Sequence, residues 1–401
     1  MKYVLLSLKW VVLAVLLGIS GGGFGALLYQ AFYFAEITRV STPILIFLLP
    51  VGGVIIGAMY KVAMRPVVTN THTVLANVHA DEEPGRIETL LVGVSTFISQ
   101  LLGASTGRDT AALQIGAGFG NVLTRLVKAP AQDARLIILC TSSAVFAGAF
   151  GAPVTGALLC FSFFKKDIRA YIGFVPCVLS AIAGAYTARL LNVPGFSIPM
   201  QTFAIQGGTF LKLLCLVPVC VLLCFAYRYT LSGMRKFFAT KLQGTFIAGA
   251  VCGSAILLLT AIFRNYHYNG SGLYLLQSAL MGNATPWDFA VKLVFTTLSL
   301  SCVFTGGEIL PLLSIGAVAG SALAPYLGLN PGLAAMVCAP ALLCGATKNP
   351  LVALCLAVEL FGFGNSFYLL PVCALVAILC VCLTPKQKPT PQNQTNGARP
   401  A

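Results

Sequence analysis

The chain has 401 residues, of which 58% are hydrophobic and only 9% charged, and its mean hydropathy is +0.89. Soluble domains carry about a quarter charged residues, so the composition excludes one and leaves a protein that crosses the bilayer several times. The formal net charge of +14 does not mark a nucleic-acid surface, which needs a soluble basic face; here the basic residues sit in connectors, where positive-inside bias acts.

A spanning helix needs about 20 apolar residues. Such runs are predicted near 4–33, 43–64, 87–105, 134–164, 170–192, 208–230, 244–263, 287–304, 333–361 and 366–384, with apolar pieces too short to span between them. The first run, opened by Lys2 and Lys9, continues through Gly21-Gly22-Gly23-Phe24-Gly25 to about Tyr33 without a small-residue cleavage site, so it reads as a helix rather than a signal peptide. Basic clusters follow at Lys61/Arg65, Arg125/Lys128, Lys165/Lys166/Arg169 and Arg228/Arg235/Lys236/Lys241. Trp287-Asp288 looks like an interfacial helix start. Residues 385–401, rich in Pro, Gln and Asn, are expected to be a polar, disordered, cytoplasmic tail.

The 40 glycines and 21 prolines fall inside apolar runs, as in closely packed helices and helices broken at membrane depth. The 14 cysteines form no C-x-x-C and lie mostly in apolar runs, so they read as small hydrophobes. The three histidines, His72, His79 and His267, show no ligand spacing, and neither a metal nor another cofactor is expected. Without a Ser/His/Asp cluster, an H-E-x-x-H or a Walker loop, an enzyme is not expected either.

Two segments interrupt this pattern: Ser-Thr-Gly-Arg-Asp-Thr-Ala-Ala-Leu-Gln-Ile-Gly-Ala-Gly-Phe-Gly at 105–120 and Thr-Gly-Gly-Glu-Ile-Leu-Pro-Leu-Leu-Ser-Ile-Gly-Ala-Val-Ala-Gly at 305–320. Each sets a carboxylate, Asp109 or Glu308, at the head of a small-residue apolar run. An ionisable group at membrane depth marks an ion pathway. Around them the halves align: Ile115-Gly116-Ala117 with Ile315-Gly316-Ala317, Gly120 with Gly320, and Ala147-Gly148-Ala149-x-x-x-Pro153 with Cys344-Gly345-Ala346-x-x-x-Pro350. The expected organisation is a first transmembrane repeat over 1–200 and a second over 205–384, inverted if each makes an odd number of crossings. Breaks are expected at Gly107, Gly306/Gly307, Pro153 and Pro350, where half-helix N-termini can converge on a small anion.

These residues resemble the CLC family of chloride channels and proton-coupled anion antiporters. Gly107-Arg108-Asp109-Thr110-Ala111 with Gln114-Ile115-Gly116 is similar to the family's Gly-Arg-Glu-Gly-Pro and Gln-Ile-Gly, and Gly307-Glu308-Ile309-Leu310-Pro311 to its Gly-x-Phe-x-Pro. Ala147 to Ala157 and Cys344 to Gly362 resemble its later paired segments, so the resemblance spans roughly 10–383. It implies an all-α, polytopic membrane protein with a CLC-type inverted repeat of many tilted and broken helices. Gly-Gly-Glu-x-x-Pro looks like the fluoride/proton antiporter branch, and Asn70 to His79 aligns with that branch's asparagine-containing anion loop. Several positions depart from the pattern. The gating glutamate is Asp109, whose carboxylate reaches about 1.5 Å less far; the next glycine is Thr110; Leu310 stands for a threonine; Ser162 stands for an acid whose counterpart Glu359 is kept; and because the chain turns Pro-, Gln- and Asn-rich after Cys382, the last helix with its anion-site tyrosine is not expected in it.

The resemblance implies a halide anion, fluoride or chloride, and a proton as partners. Asp109 and Glu308 are the candidates for proton coupling and gating. Thr71, His72, Thr73, Arg108, Thr110 and the amides of Ile309 and Leu310 are the candidate anion contacts, since an anion crossing hydrocarbon needs fixed donors in place of water. Structural readings stay open for Asp109 (a partner of Arg108), Glu308 (a helix cap) and His72 (a loop residue), and Glu359 reads as structural. A fluoride/proton antiporter is the leading expectation; a passive chloride or fluoride channel and a degenerate paralogue without transport are the alternatives. The protein is expected in a membrane, bacterial inner or plasma, with a cytoplasmic C-terminus. It is expected as a homodimer joined through about 153–164, 170–190 and 350–383.

Overall fold

The computed structural model describes residues 2–65, 67, 85–161, 168–195, 198, 200–242, 245–347 and 349–384. Thr71, His72, Thr73, His79, Ser162, Lys348 and the tail 385–401 lie outside the described residues. Within them the chain is helical, and the one extended pairing is an isolated antiparallel bridge between Gly107 and Gly307.

The first half runs α1 (Lys2–Ser41), α2 (Leu49–Val62), α3 (Arg86–Leu102), α4 (Asp109–Leu126), α5 (Ala131–Phe150), α6 (Pro153–Phe161) and α7 (Ile168–Leu190). The second runs α8 (Gly207–Leu214), α9 (Val217–Lys241), α10 (Thr245–Phe263), α11 (Leu273–Leu280), α12 (Asp288–Ser301), α13 (Ile309–Leu323), α14 (Pro331–Ala346), α15 (Pro350–Phe361) and α16 (Ser366–Leu383). Packing follows one scheme twice. α5 packs on α1, α4, α6 and α7, while α14 packs on α9, α13, α15 and α16; α3 packs on α1, α2 and α4, while α12 packs on α9, α10 and α13. The halves meet where α2 lies on α10 and α6 on α15.

Small residues make these approaches possible. A Cβ at Gly53 or Gly249 would overlap the other's backbone, which brings α2 and α10 into main-chain contact. Gly116 and Gly120 face the backbone of α5, and Gly316 and Gly320 face that of α14. The Gly-x-x-x-Gly spacing shared by the halves is therefore a packing device: close backbone approach supplies van der Waals contact where lipid offers no hydrophobic drive.

Among the described residues eight helices are long and apolar enough to cross a bilayer, including Ile309–Leu327, which is not among the runs predicted from sequence. The runs 134–164 and 333–361 are not continuous helices: the first turns at Gly151 (φ +69), and the second stops at Thr347 before α15 restarts at Pro350. Proline at a helix start is pre-organised there but cannot extend the preceding ladder. α3 and α12, 17 and 14 residues long, also fall outside the eight. Their inward faces carry hydroxyls among the aliphatics, including Ser95, Thr96 and Ser99 on α3 and Thr296, Thr297 and Ser299 on α12, all fully buried. Trp287, 75% exposed, precedes the first residue of α12, as an interfacial start would.

Candidate functional site

Two helix breaks lie side by side in the middle of the molecule. α3 ends at Gly103, whose left-handed backbone (φ +96) closes the helix, and the chain stays irregular until Asp109 opens α4. α12 ends before Cys302, and the chain stays irregular until Ile309 opens α13, with Glu308 in the capping position. Gly107 N–H donates to the Gly307 carbonyl (2.7 Å), and Gly307 N–H donates back (3.0 Å). Thr110 Oγ1 donates to the Gly306 carbonyl at 3.1 Å, a further bond between the breaks.

Buried hydroxyls pin these strands, since backbone polar groups without water need internal partners. Thr305 Oγ1 donates to Ser95 Oγ (2.5 Å), Ser105 N–H to Ser299 Oγ (2.9 Å), and Ser105 Oγ pairs with Thr296 Oγ1 (2.9 Å). Thr106 Oγ1 is buried with no hydrogen-bond partner.

Asp109 has no exposed surface. Its carboxyl folds back over the bridge: a Cβ added to Gly107 would lie 2.7 Å from Oδ1, and one added to Gly307 would overlap the carboxyl group itself. Arg108, 6% exposed, points away into an aromatic cleft, with its guanidinium carbon 4.8 Å from the Tyr29 ring centre and 5.1 Å from that of Phe150. Cation–aromatic contact compensates part of the cost of burying that charge.

Glu308 faces the other way, into an open cavity of about 870 Å³ lined also by Tyr227, Arg228, Arg235, Lys236, Thr347 and Thr384. Tyr227, on α9 and 2% exposed, donates its phenol to Glu308 Oε2 at 2.6 Å. The first backbone bond of α13 runs from Leu312 N–H to the Glu308 carbonyl. The amides of Ile309 and Leu310 thus precede the helical ladder and carry the partial positive charge of the helix start. The side chains of both are buried apolar groups, 7% and 3% exposed.

The structure therefore brings together Arg108, Asp109, Thr110, Glu308, Ile309 and Leu310. It does not place the two acids in equivalent registers. Counted from the bridged glycines, Asp109 is the second residue and Glu308 the first, so Arg108 is the positional counterpart of Glu308. Tyr227 and the cations of α9 were not singled out in sequence as site residues; their signal was Arg228 and Arg235 at helical spacing within an otherwise apolar segment. Lys292 was missed as well: it is fully buried on α12 and donates to the carbonyls of Tyr268 (2.9 Å) and Gly270 (2.8 Å). Glu359 accepts from Val154 N–H (2.7 Å), Thr155 N–H (2.9 Å) and Thr155 Oγ1 (2.5 Å), so that α15 caps α6 across the halves. Among the described residues no cluster of His, Cys, Asp and Glu could hold a metal ion.

Helices broken at membrane depth, with ionisable groups at facing half-helix starts, define an ion-translocating multi-pass membrane protein. The family model described as voltage gated chloride channel matches residues 52–382, and the chain belongs to this family, the CLC family of anion transporters. It is 30% identical over 379 residues to a chloride/fluoride channel protein of Pseudomonas syringae pv. tomato, covering 88% of this chain and 80% of the relative. Its fold matches the crystal structure of a CLC-type fluoride/proton antiporter with a TM-score of 0.83 at 24% identity, over 93% of this chain and 95% of that one. A slow cyanobacterial chloride/proton antiporter matches with a TM-score of 0.79 at 18% identity, over 94% and 95%.

Proposed function

We propose that the protein is a secondary-active halide/proton antiporter whose preferred halide is fluoride. The observation that carries this reading is Asp109: a carboxyl with no exposed surface, folded over the bridge where two helix starts meet. A carboxylate there competes with an anion for the same positive ends when ionised and leaves when protonated, so protons and anions alternate. Glu308 takes its proton from the open cavity and is the second coupling residue. Arg108 supplies buried positive charge and the amides of Ile309 and Leu310 supply anion contacts, with the Thr110 hydroxyl joining them when it releases the Gly306 carbonyl. Thr71, His72 and Thr73 complete the site in this proposal. The choice of fluoride rests on the likeness to a chloride/fluoride channel protein and to a fluoride/proton antiporter, together with the Gly307-Glu308 pair.

The paired packing scheme supports an organisation in two repeats, 1–200 and 205–384, and a tail over 385–401. Thr384 lines the same cavity as Arg228, Arg235 and Lys236, and the positive-inside rule puts that side, with the C-terminus, in the cytoplasm. The protomer assembles as a homodimer with one pore per subunit.

The test is fluoride and chloride efflux from proteoliposomes with internal pH recorded, for the wild type and Asp109→Asn. Proton uptake driven against its gradient by fluoride, and lost in the variant, is the expected result. Efflux without proton movement makes the protein a channel, and silence for both ions removes the transport reading.

A further inference from the structure

Six of the cysteines that read in sequence as scattered small hydrophobes converge where α9, α14 and α16 meet. Of these, Cys224 and Cys380 share one neighbour. Their two sulfurs lie against the same glycine: a Cβ at Gly345 would overlap Cys224 Sγ and lie 2.8 Å from Cys380 Sγ. Glycine at 345 is therefore what allows the sulfurs to meet, and Gly345 and Cys380 both line the open cavity that leads to Glu308.

Arg228 ties the same level together. It follows Cys224 by about one helical turn, and its guanidinium donates to the Ala346 carbonyl (3.3 Å) and to Thr384 Oγ1 (3.2 Å). A cation thus stands beside a thiol pair at the wall of a water-accessible cavity, and the thiolate is the reactive form of cysteine. Tyr227, the donor to Glu308, is the residue immediately before Arg228.

We propose that Cys224 and Cys380 form an oxidation site, a dithiol that closes to a disulfide under a small two-electron oxidant entering through the cavity and thereby arrests transport. With hydrogen peroxide the balance is complete. One thiolate attacks the O–O bond, giving a sulfenic acid and water; the second thiol then displaces hydroxide, which leaves as water. Two cysteines are oxidised and one peroxide is reduced to two waters. The new bond, about 2.05 Å long, draws α9 and α16 together across Gly345 and shifts the Tyr227 contact that orients Glu308.

The effect on flux rests on the transport reading, whereas the chemistry does not, so both are measured. Purified protein and proteoliposomes are treated with hydrogen peroxide, and cross-linked peptides are mapped by mass spectrometry beside halide efflux. A Cys224–Cys380 peptide, an efflux loss of about tenfold or more, reversal by dithiothreitol and a peroxide-resistant Cys380→Ser variant are the expected results. Should Cys380→Ser not fold, Cys224→Ala is the second variant, expected to be equally resistant. Absence of that peptide overturns the proposal. So does the peptide with unchanged efflux, or an equal loss in either variant. Protein without efflux before oxidation overturns the proposed function instead, and the peptide still reports on the site.

Discussion

Asp109 and Glu308 head corresponding helices, yet they occupy opposite environments. Asp109 has no exposed surface and lies over the paired glycines, while Glu308 opens onto a cavity of about 870 Å³ beside Arg228, Arg235 and Lys236. The difference comes from one residue of register. Adjacent residues at a helix start point about 100° apart, so an acid two residues past the bridge turns inward and one placed a single residue past it turns toward the cavity. Identical registers would have given two similar carboxyl environments; the shifted register gives a sealed one and an open one. Within the proposed function, the sealed carboxyl controls passage and the open one exchanges protons with water.

The sealed side is the easier to break. Gly307→Ala sets a methyl group on the Asp109 carboxyl, and overpacking of this kind costs about 3 kcal/mol. Halide efflux is expected to fall about a hundredfold, with the bridge between Gly107 and Gly307 disturbed, whereas Gly233→Ala, which meets nothing within 4 Å, leaves efflux at the wild-type level. A Gly307→Ala protein that transports normally would mean that the position of Asp109 does not matter.

On the open side the expected effect is smaller. Tyr227→Phe removes a 2.6 Å bond to Glu308, and an intramolecular hydrogen bond contributes about 0.5–1.5 kcal/mol net. Efflux should fall about tenfold. Proton uptake measured in parallel should fall with it, because Glu308 loses its orientation while Asp109 is untouched. Unchanged coupling would assign proton exchange to some other group.

The smallest effect belongs to the cavity mouth. Lys236 is exposed and lines the cavity, so Lys236→Gln weakens only the attraction of anions from a distance. Efflux at low ionic strength should drop about twofold and return to the wild-type value in high salt, where the screening length shrinks to a few ångströms. A salt-independent loss would place Lys236 in the binding site proper.

The break points and the packing faces were readable because each has a local chemical cause. Gly107, Gly306 and Gly307, Pro153 and Pro350 were expected to interrupt helices, and they do. The residues that surround the site were not readable in the same way. Ser95, Ser105, Thr296 and Ser299 are ordinary small residues until two chain breaks come to rest beside them with backbone groups to satisfy. Tyr227 lies 81 residues from Glu308 in the chain, and no local pattern links a phenol on one helix to an acid at the start of another. The cysteines show the same limit: their apolar settings were evident, but that Cys224 and Cys380 share one glycine was not.

By itself, the sequence determined that this chain is a helical membrane protein in which two similar small-residue segments each carry an acid at their head. Those properties follow from composition, from glycine and proline, and from the cost of carrying a carboxylate into hydrocarbon, all of which act within a few residues. Only the tertiary structure decided which acid is sealed and which is open, and which tyrosine, cations and thiols surround them. Those relations depend on the one-residue register of the bridge between Gly107 and Gly307 and on where α9, α14 and α16 pack, so they exist only once segments about 200 residues apart have met.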